Sequence, residues 1–300
     1  MSAKNTKAGF VAIIGKPNAG KSTLLNSILG IKLSIVTPKP QTTRKNVLGI
    51  HSTGYEQIIF LDTPGILKPK YEMQKSMMSY VNNSINDADA ILVILDLEKY
   101  KSLDQYFDQI LLDYLKKTEL PKILVLNKID TLKDVKNVLP IISNISKLKI
   151  FDDIVPVSAL KSENISNLLK SLIKYLPESD FFYDPEMLST QNERFFVSEL
   201  IREEVFKSYS QELPYSTEIN ITDFKEREKG KWYISADIII ERKSQKMIII
   251  GKKGDKLKSI GQKARAAIEQ HLEKEIYLEL FVKVRENWRD NKNLLNSYGY

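Results

Sequence analysis

Residues 15–22 read GKPNAGKS, and the stretches on either side of them set the architecture. Before them stands the apolar run FVAIIG (10–15). After them comes KSTLLNSIL (21–29), a helical pattern that stops at Gly30, where a helix closes readily in the left-handed conformation. The eight residues fit G-x-x-x-x-G-K-[ST], and strand–loop–helix is the setting in which that pattern carries a mechanism. The loop from Gly15 through Lys16, Pro17, Asn18, Ala19 and Gly20 to Lys21, Ser22 and Thr23 surrounds phosphate oxygens with backbone N–H groups at a helix N-terminus. Lys21 reaches the β- and γ-phosphates, and the Ser22 hydroxyl joins the shell of a Mg²⁺ ion.

Beyond this loop, short β-branched runs alternate with helical patterns. The candidate strands are FVAIIG, NVLGIHS (46–52), QIIFLD (57–62), AILVILD (90–96), KILVLN (122–127) and DIVPVS (153–158). Most are nearly continuous apolar runs, as strands buried on both faces of a parallel sheet are. NVLGIHS and QIIFLD are separated only by Thr53, Gly54, Tyr55 and Glu56, so one strand runs antiparallel. NISNLLKSLIKYL (164–176) reads as a helix halted by Pro177. The alternation predicts a three-layer α/β domain over residues 1–178. PESDFFYDPE (177–186) breaks the rhythm, and residues 179–189 are assigned as linker. Residues 190–300 then form a second, smaller α+β domain: a helix (194–209), strands STEINITDF (216–224) and KWYISADIIIE (231–241), a long helix (255–273) and a last strand, IYLELFVKV (276–284). By periodicity alone, MIII (247–250) is a short buried strand before a basic turn.

Composition narrows the function. Hydrophobic residues make up 42% of the chain and charged residues 28%, as in a folded, soluble protein. There is no cysteine, which excludes disulfides, thiolate zinc sites and cysteine nucleophiles, and the two histidines, His51 and His271, lie far apart. No apolar run approaches the roughly 18 residues of a membrane span. MSAKNTK runs straight into FVAIIG with no room for a signal peptide, so a cytoplasmic protein is expected. The net charge is +7, and residues 242–265 hold nine basic side chains against Asp255 alone. Such segregation suggests one basic face aimed at a polyanion.

Later residues choose the base. Asn127-Lys128-Ile129-Asp130 follows KILVLN, at a strand's C-terminal end where open α/β sheets bind ligands. The Asp130 carboxylate accepts two hydrogen bonds from the N1–H and exocyclic amine of guanine, a donor pair that adenine lacks. Asn127 either bonds the base edge or ties loops together, and the Lys128 stem packs along the ring. Ser158-Ala159-Leu160-Lys161 follows the sixth strand, and the Ala159 N–H is offered to the guanine oxygen. Asp62-Thr63-Pro64-Gly65 ends the third strand: the carboxylate holds Mg²⁺ through water and the Gly65 N–H meets the γ-phosphate. In the polar stretch TPKPQTTRK (37–45), Thr42 and Thr43 are the candidates for a threonine that closes over Mg²⁺, with Thr43 preferred.

These segments resemble the Ras-like GTPase superfamily, and within it the bacterial Era family, across residues 10–176. The resemblance implies GTP binding and hydrolysis, GDP as product, and Mg²⁺ as cofactor. Ile66 follows DTPG where many relatives of Ras place a water-orienting glutamine. The likeness to potassium-stimulated GTPases points instead to Asn18 as the holder of a K⁺ ion that, with Lys21, Thr43 and Gly65, serves slow catalysis. The same resemblance reads IIIGKKGDKLKSIG as a KH-domain signature. Residues 244–250 are then a helix, and Ile250, Gly251, Lys252, Lys253, Gly254, Lys256 and Lys258 meet single-stranded RNA. Ile249, Ile250, Leu257 and Ile260 are candidates to line an apolar groove for bases. The implied partner is small-subunit ribosomal RNA and the small subunit itself, with the protein a monomer active in subunit maturation. Three rival readings are a P-loop ATPase or kinase, a GTP-dependent scaffold, and a GTP-gated module whose basic segment meets an acidic protein or the inner face of the cell membrane as a peripheral contact.

Overall fold

The computed structural model describes residues 6–100, 102, 103, 107, 109–116 and 118–300; residues 1–5 of the MSAKNTK stretch lie outside them. The chain divides into two units. One holds the residues up to Ser34, Thr43–Pro69 and Ser76–Thr190, the other Ile35–Thr42, Lys70–Lys75 and Gln191–Tyr300.

In the first unit, β1 (Lys7–Gly15), β2 (Val47–Thr53), β3 (Glu56–Asp62), β4 (Ala90–Asp96), β5 (Lys122–Asn127) and β6 (Asp153–Val157) form one sheet in the order β2-β3-β1-β4-β5-β6. β2 runs antiparallel to β3 and all other pairings are parallel. Every residue of β4 is buried, as its unbroken apolar sequence requires of a strand covered on both faces. The helices are α1 (Lys21–Leu29), α2 (Glu72–Asn86), α3 (Gln109–Lys116), α4 (Val138–Ser146) and α5 (Ile165–Tyr175). α1 buries Leu24, Leu25 and Ile28 against β1, β2 and β3.

Strand register aligns the loops. Ile13 is level with Asp62, Gly15 with Ile94, and Asn127 with both Asp96 and Val157. The five parallel strands therefore end along one edge, and the loops after β1, β3, β5 and β6 emerge side by side.

Residues 179–189 lie along this unit. Gln57 of β3 is fully buried; its Oε1 accepts the N–H groups of Phe182 (2.9 Å) and Tyr183 (3.0 Å), and its Nε2 donates to the carbonyl of Tyr183 (2.8 Å) and to Ser52 Oγ (3.1 Å). The Ile50 N–H, on edge strand β2, donates to the Leu188 carbonyl at 2.9 Å.

The second unit carries β7 (Glu218–Lys225), β8 (Trp232–Ile240) and β9 (Ile276–Val284) in that order, β7 antiparallel and β9 parallel to β8. Its helices are α6 (Glu193–Ser208), α7 (Lys243–Ile250), α8 (Asp255–Leu272) and α9 (Lys292–Ser297). Ile260, Ala264 and Ile268, four residues apart on α8, meet Ile234, Ala236 and Ile238 of β8 in the core. The periodicity reading of MIII as a strand is corrected: it is the end of α7. Gln245 accepts the N–H of Arg242 and caps the helix start, and Gly251 closes its end. Of the four residues only Ile249 is fully buried, while Met247 is 79% exposed.

Candidate nucleotide and RNA sites

The loop after β1 is held by its neighbours. Gly20 has φ 97°, and a Cβ there would come within 2.2 Å of Asn127 Nδ2, so only glycine fits between the loop and β5. Lys21 is buried, with Nζ 3.2 Å from the Lys16 carbonyl and 3.4 Å from that of Gly15. Burial lowers its ammonium pKa to about 8, against the attraction of Asp62. An anionic partner would relieve that burial. Gly65 lies against the other side of the loop, where a Cβ would come within 2.8 Å of Pro17.

Three oxygens converge behind Lys21. Ser22 Oγ donates to Asp62 Oδ2 at 2.7 Å and lies 2.8 Å from Thr43 Oγ1. Ser22 has one proton, so Thr43 donates to Ser22. Asp62 is fully buried, and its Oδ1 meets hydrogen-bond geometry with no described residue, although the Ser34 hydroxyl lies near enough to favour the carboxylate. Burial pushes its carboxyl up, against the Ser22 hydrogen bond and the charge of Lys21. A buried carboxylate with an idle oxygen beside two hydroxyls suits a hard cation completed by phosphate oxygens. Thr42 is elsewhere: its Oγ1 donates to the Lys39 carbonyl (2.7 Å) and contacts Thr37 Oγ1 (2.7 Å).

At the base end, Asn127 is a brace. Its Nδ2 donates to the Ala19 carbonyl (2.9 Å) and its Oδ1 accepts the Ala159 N–H (3.0 Å), joining the loops after β1 and β6. The Ala159 N–H, expected to face a guanine oxygen, is bonded here to Asn127 Oδ1. Ser158 Oγ donates to Asp130 Oδ1 at 2.5 Å and fixes that carboxylate. Lys128, at φ 69°, donates to Asp96 (2.8 Å) and Glu98 (3.0 Å). Against its burial, these two partners raise its ammonium pKa. Neither Asp96 nor Glu98 was singled out in the sequence; their signal was the placement of Asp96 at the end of a parallel strand. Ile66 is buried and has no polar side-chain atom; its N–H donates to the Gly15 carbonyl at 3.0 Å. Asn18 sits in the left-handed conformation, φ 64°.

In the second unit, Gly251–Gly254 turns the chain from α7 into α8 and leaves Lys252 and Lys253 exposed. A groove of about 430 Å³ adjoins it, walled by Gly254, Leu257, Lys258, Gly261, Gln262 and Arg265 on one side and by Leu278 and Leu280 of edge strand β9 on the other. Of the isoleucines and leucine expected to line it, Leu257 does so, whereas Ile249 and Ile260 are core residues and Ile250 packs against that core. Gln262 and Arg265 had a legible signal, falling four and seven residues after Lys258 on one helix face. Leu278 and Leu280 had none, since β9 meets α8 only in the tertiary fold.

Known proteins resemble this chain over nearly its whole length. The family described as a 50S ribosome-binding GTPase matches residues 10–128, and the KH domain matches residues 212–289. The chain is 42% identical over 294 residues to GTPase Era of Clostridium botulinum, covering 98% of each. It is 44% identical over 296 residues to GTPase Era of Clostridium kluyveri, covering 98% of this chain and 99% of the other. Among solved structures, Era in complex with MgGDPNP and nucleotides 1506–1542 of 16S ribosomal RNA superposes with a TM-score of 0.93 at 41% identity, over 98% of this chain and 99% of that one. An Aquifex aeolicus Era variant bound to GDP and aluminium fluoride gives the same values.

Proposed function

Because the chain belongs to the Era family of GTPases, we propose that it is a GTP-hydrolysing switch that grips small-subunit ribosomal RNA through its KH domain during subunit assembly in the cytoplasm. The observation that carries the nucleotide half is the meeting of Ser22, Thr43 and Asp62 behind Lys21. Thr43, rather than Thr42, is the threonine that closes over the metal. Mg²⁺ at this point would neutralise charge on the β- and γ-phosphates. Lys21 exchanges its two carbonyl partners for phosphate oxygens, and the Gly65 backbone N–H is placed for the γ-phosphate. Asp130, held by Ser158, reads guanine, while Asn127 ties the phosphate loop to the loop beneath the base.

Ile66 cannot orient water, so turnover is slow without help. A K⁺ ion held by Asn18 would supply positive charge beside the phosphates. In the KH half, Lys252, Lys253, Lys256 and Lys258 neutralise the RNA backbone, and the groove beside them takes bases. The deciding measurement is GTP turnover with and without small-subunit RNA, in potassium and in sodium at matched ionic strength. Turnover should rise with RNA and be faster in potassium. Equal rates in the two salts remove the Asn18 assignment, and an acidic protein or anionic vesicle that replaces RNA removes the RNA assignment.

A further inference from the structure

The segment Ile35–Thr42, which leads directly into Thr43, belongs to the second unit. Its Lys39 Nζ donates to the backbone carbonyls of Phe206 and Tyr209 at the end of α6. The last carbonyls of a helix lack intrahelical partners and carry partial negative charge, so an ammonium group is well placed there.

Tyr209 continues the connection. It is buried, and its hydroxyl donates to the Ile249 carbonyl at 2.7 Å, in the last turn of α7 and two residues before Gly251. Its ring lies 5.7 Å from the Nζ of Lys256, in the first turn of α8. One side chain therefore touches both arms of the Gly251–Gly254 turn. Burial pushes the phenol up to about 12, so it stays a hydrogen-bond donor across the physiological range.

We propose that Tyr209 is a positioning residue for the Gly251–Gly254 turn, and that Lys39 makes its placement depend on the nucleotide-bound state of residues 35–43. The proposal rests on the GTP and RNA assignments above. Thr43 already stands at the cation site, 2.8 Å from Ser22; its release when the γ-phosphate leaves moves Thr42, and the Thr42 hydroxyl is bonded to the Lys39 carbonyl at 2.7 Å. Lys39 then either keeps or leaves the Tyr209 carbonyl. The Tyr209–Ile249 hydrogen bond passes that choice to the end of α7. On this proposal residues 35–42 are the two-state element that coupling between distant sites requires.

The test uses the full chain and a labelled RNA of nucleotides 1506–1542 of 16S ribosomal RNA, with affinity measured in GDP and in GDPNP. Wild type should show an affinity ratio between the two states. Tyr209→Phe, which keeps the ring, should weaken RNA binding about 3- to 10-fold, as one lost hydrogen bond does, and compress the ratio. Lys39→Met should compress the ratio while leaving the weaker state unchanged. Lys258→Ala, a groove residue, should weaken both states equally. Hydrogen exchange gives a second readout: amides 250–256 should change protection between GDP and GDPNP in wild type and not in Lys39→Met. Wild-type ratios and affinities in both Tyr209→Phe and Lys39→Met overturn the proposal. A wild type that binds RNA equally in both nucleotide states overturns the Lys39 half, whereas one that binds no RNA defeats the RNA assignment itself.

Discussion

In the guanine site proposed above, Asp130 is the residue assigned to choose the base, with few neighbours to help. Ser158 holds one of its oxygens, and the Ala159 N–H that could have met the guanine oxygen is engaged by Asn127. On that proposal, selectivity between purines rests on this carboxylate. Asp130→Asn presents a donor where guanine also donates and should cost about 1–3 kcal/mol, while xanthine, with an oxygen at that position, gains. Competition of XTP against GTP measures this directly, and retained guanine preference would place the base elsewhere. Gly20 shows a different kind of necessity. At φ 97° with Asn127 Nδ2 2.2 Å from any added Cβ, Gly20→Ala must displace the Asn127 brace or the loop. Nucleotide affinity should fall by at least about tenfold, the equivalent of ~1.4 kcal/mol, as forced strain of this order implies. Titration with a fluorescent GDP analogue checks it, and unchanged affinity would show that the loop yields freely. These residue types and their order were legible in the sequence. What was not legible was who holds whom: Asn127 allowed two roles, and only the distances to Ala19 and Ala159 chose between them.

Elements were legible where burial was uniform. β4 and β5 are continuous apolar runs because helices cover both faces, and their bounds agree with the quoted stretches. The sequence of α2, EMQKSMMSYVNNSIN, mixes its buried methionines with serines and asparagines, which weakens the apolar stripe. α7 misled for the opposite reason: three isoleucines in a row suit a strand, yet the Gln245 cap and Gly251 impose a helix that leaves Met247 and Ile248 exposed. The strip 179–189 is a further case. Pro185 and the acids around it mark this strip as a linker, and in the fold Gln57 spends both amide hydrogens and its carbonyl oxygen on it and on Ser52. Gln57→Leu keeps the bulk and orphans the N–H groups of Phe182 and Tyr183, a loss of about 1–3 kcal/mol for each group that stays buried. The melting temperature of the first unit should drop, and limited proteolysis should cut between 178 and 190. Wild-type resistance to protease would mean that Ile50 and Ser189, bonded to Leu188 and Leu48, hold the strip unaided.

For the whole molecule, charge and linkage make the last prediction. The chain carries +7, and residues 242–265 alone carry +8, so the rest is close to neutral and the attraction for a polyanion is concentrated on α7, the Gly251–Gly254 turn and α8. No helix among the described residues is long and apolar enough to cross a membrane. Affinity for single-stranded RNA should fall with salt, by roughly 0.7 in log–log slope for each phosphate neutralised. Replacing Lys252 and Lys253 together by alanine should flatten that slope by about 1.4 on the same scale while leaving sequence preference to the groove at Leu257, Gln262 and Arg265. Preference and slope falling together would mean that the turn reads bases as well as backbone. Where GTP and RNA favour the same conformation, thermodynamics adds a condition that no detail of the fold can evade: the factor by which GDPNP raises RNA affinity must equal the factor by which RNA raises GDPNP affinity. Measured from both sides on one preparation, equal factors above one establish a coupled switch. A factor of one on both sides means that two independent binding domains share a chain, and that hydrolysis at Lys21 and Thr43 does not loosen the grip at Gly251–Gly254.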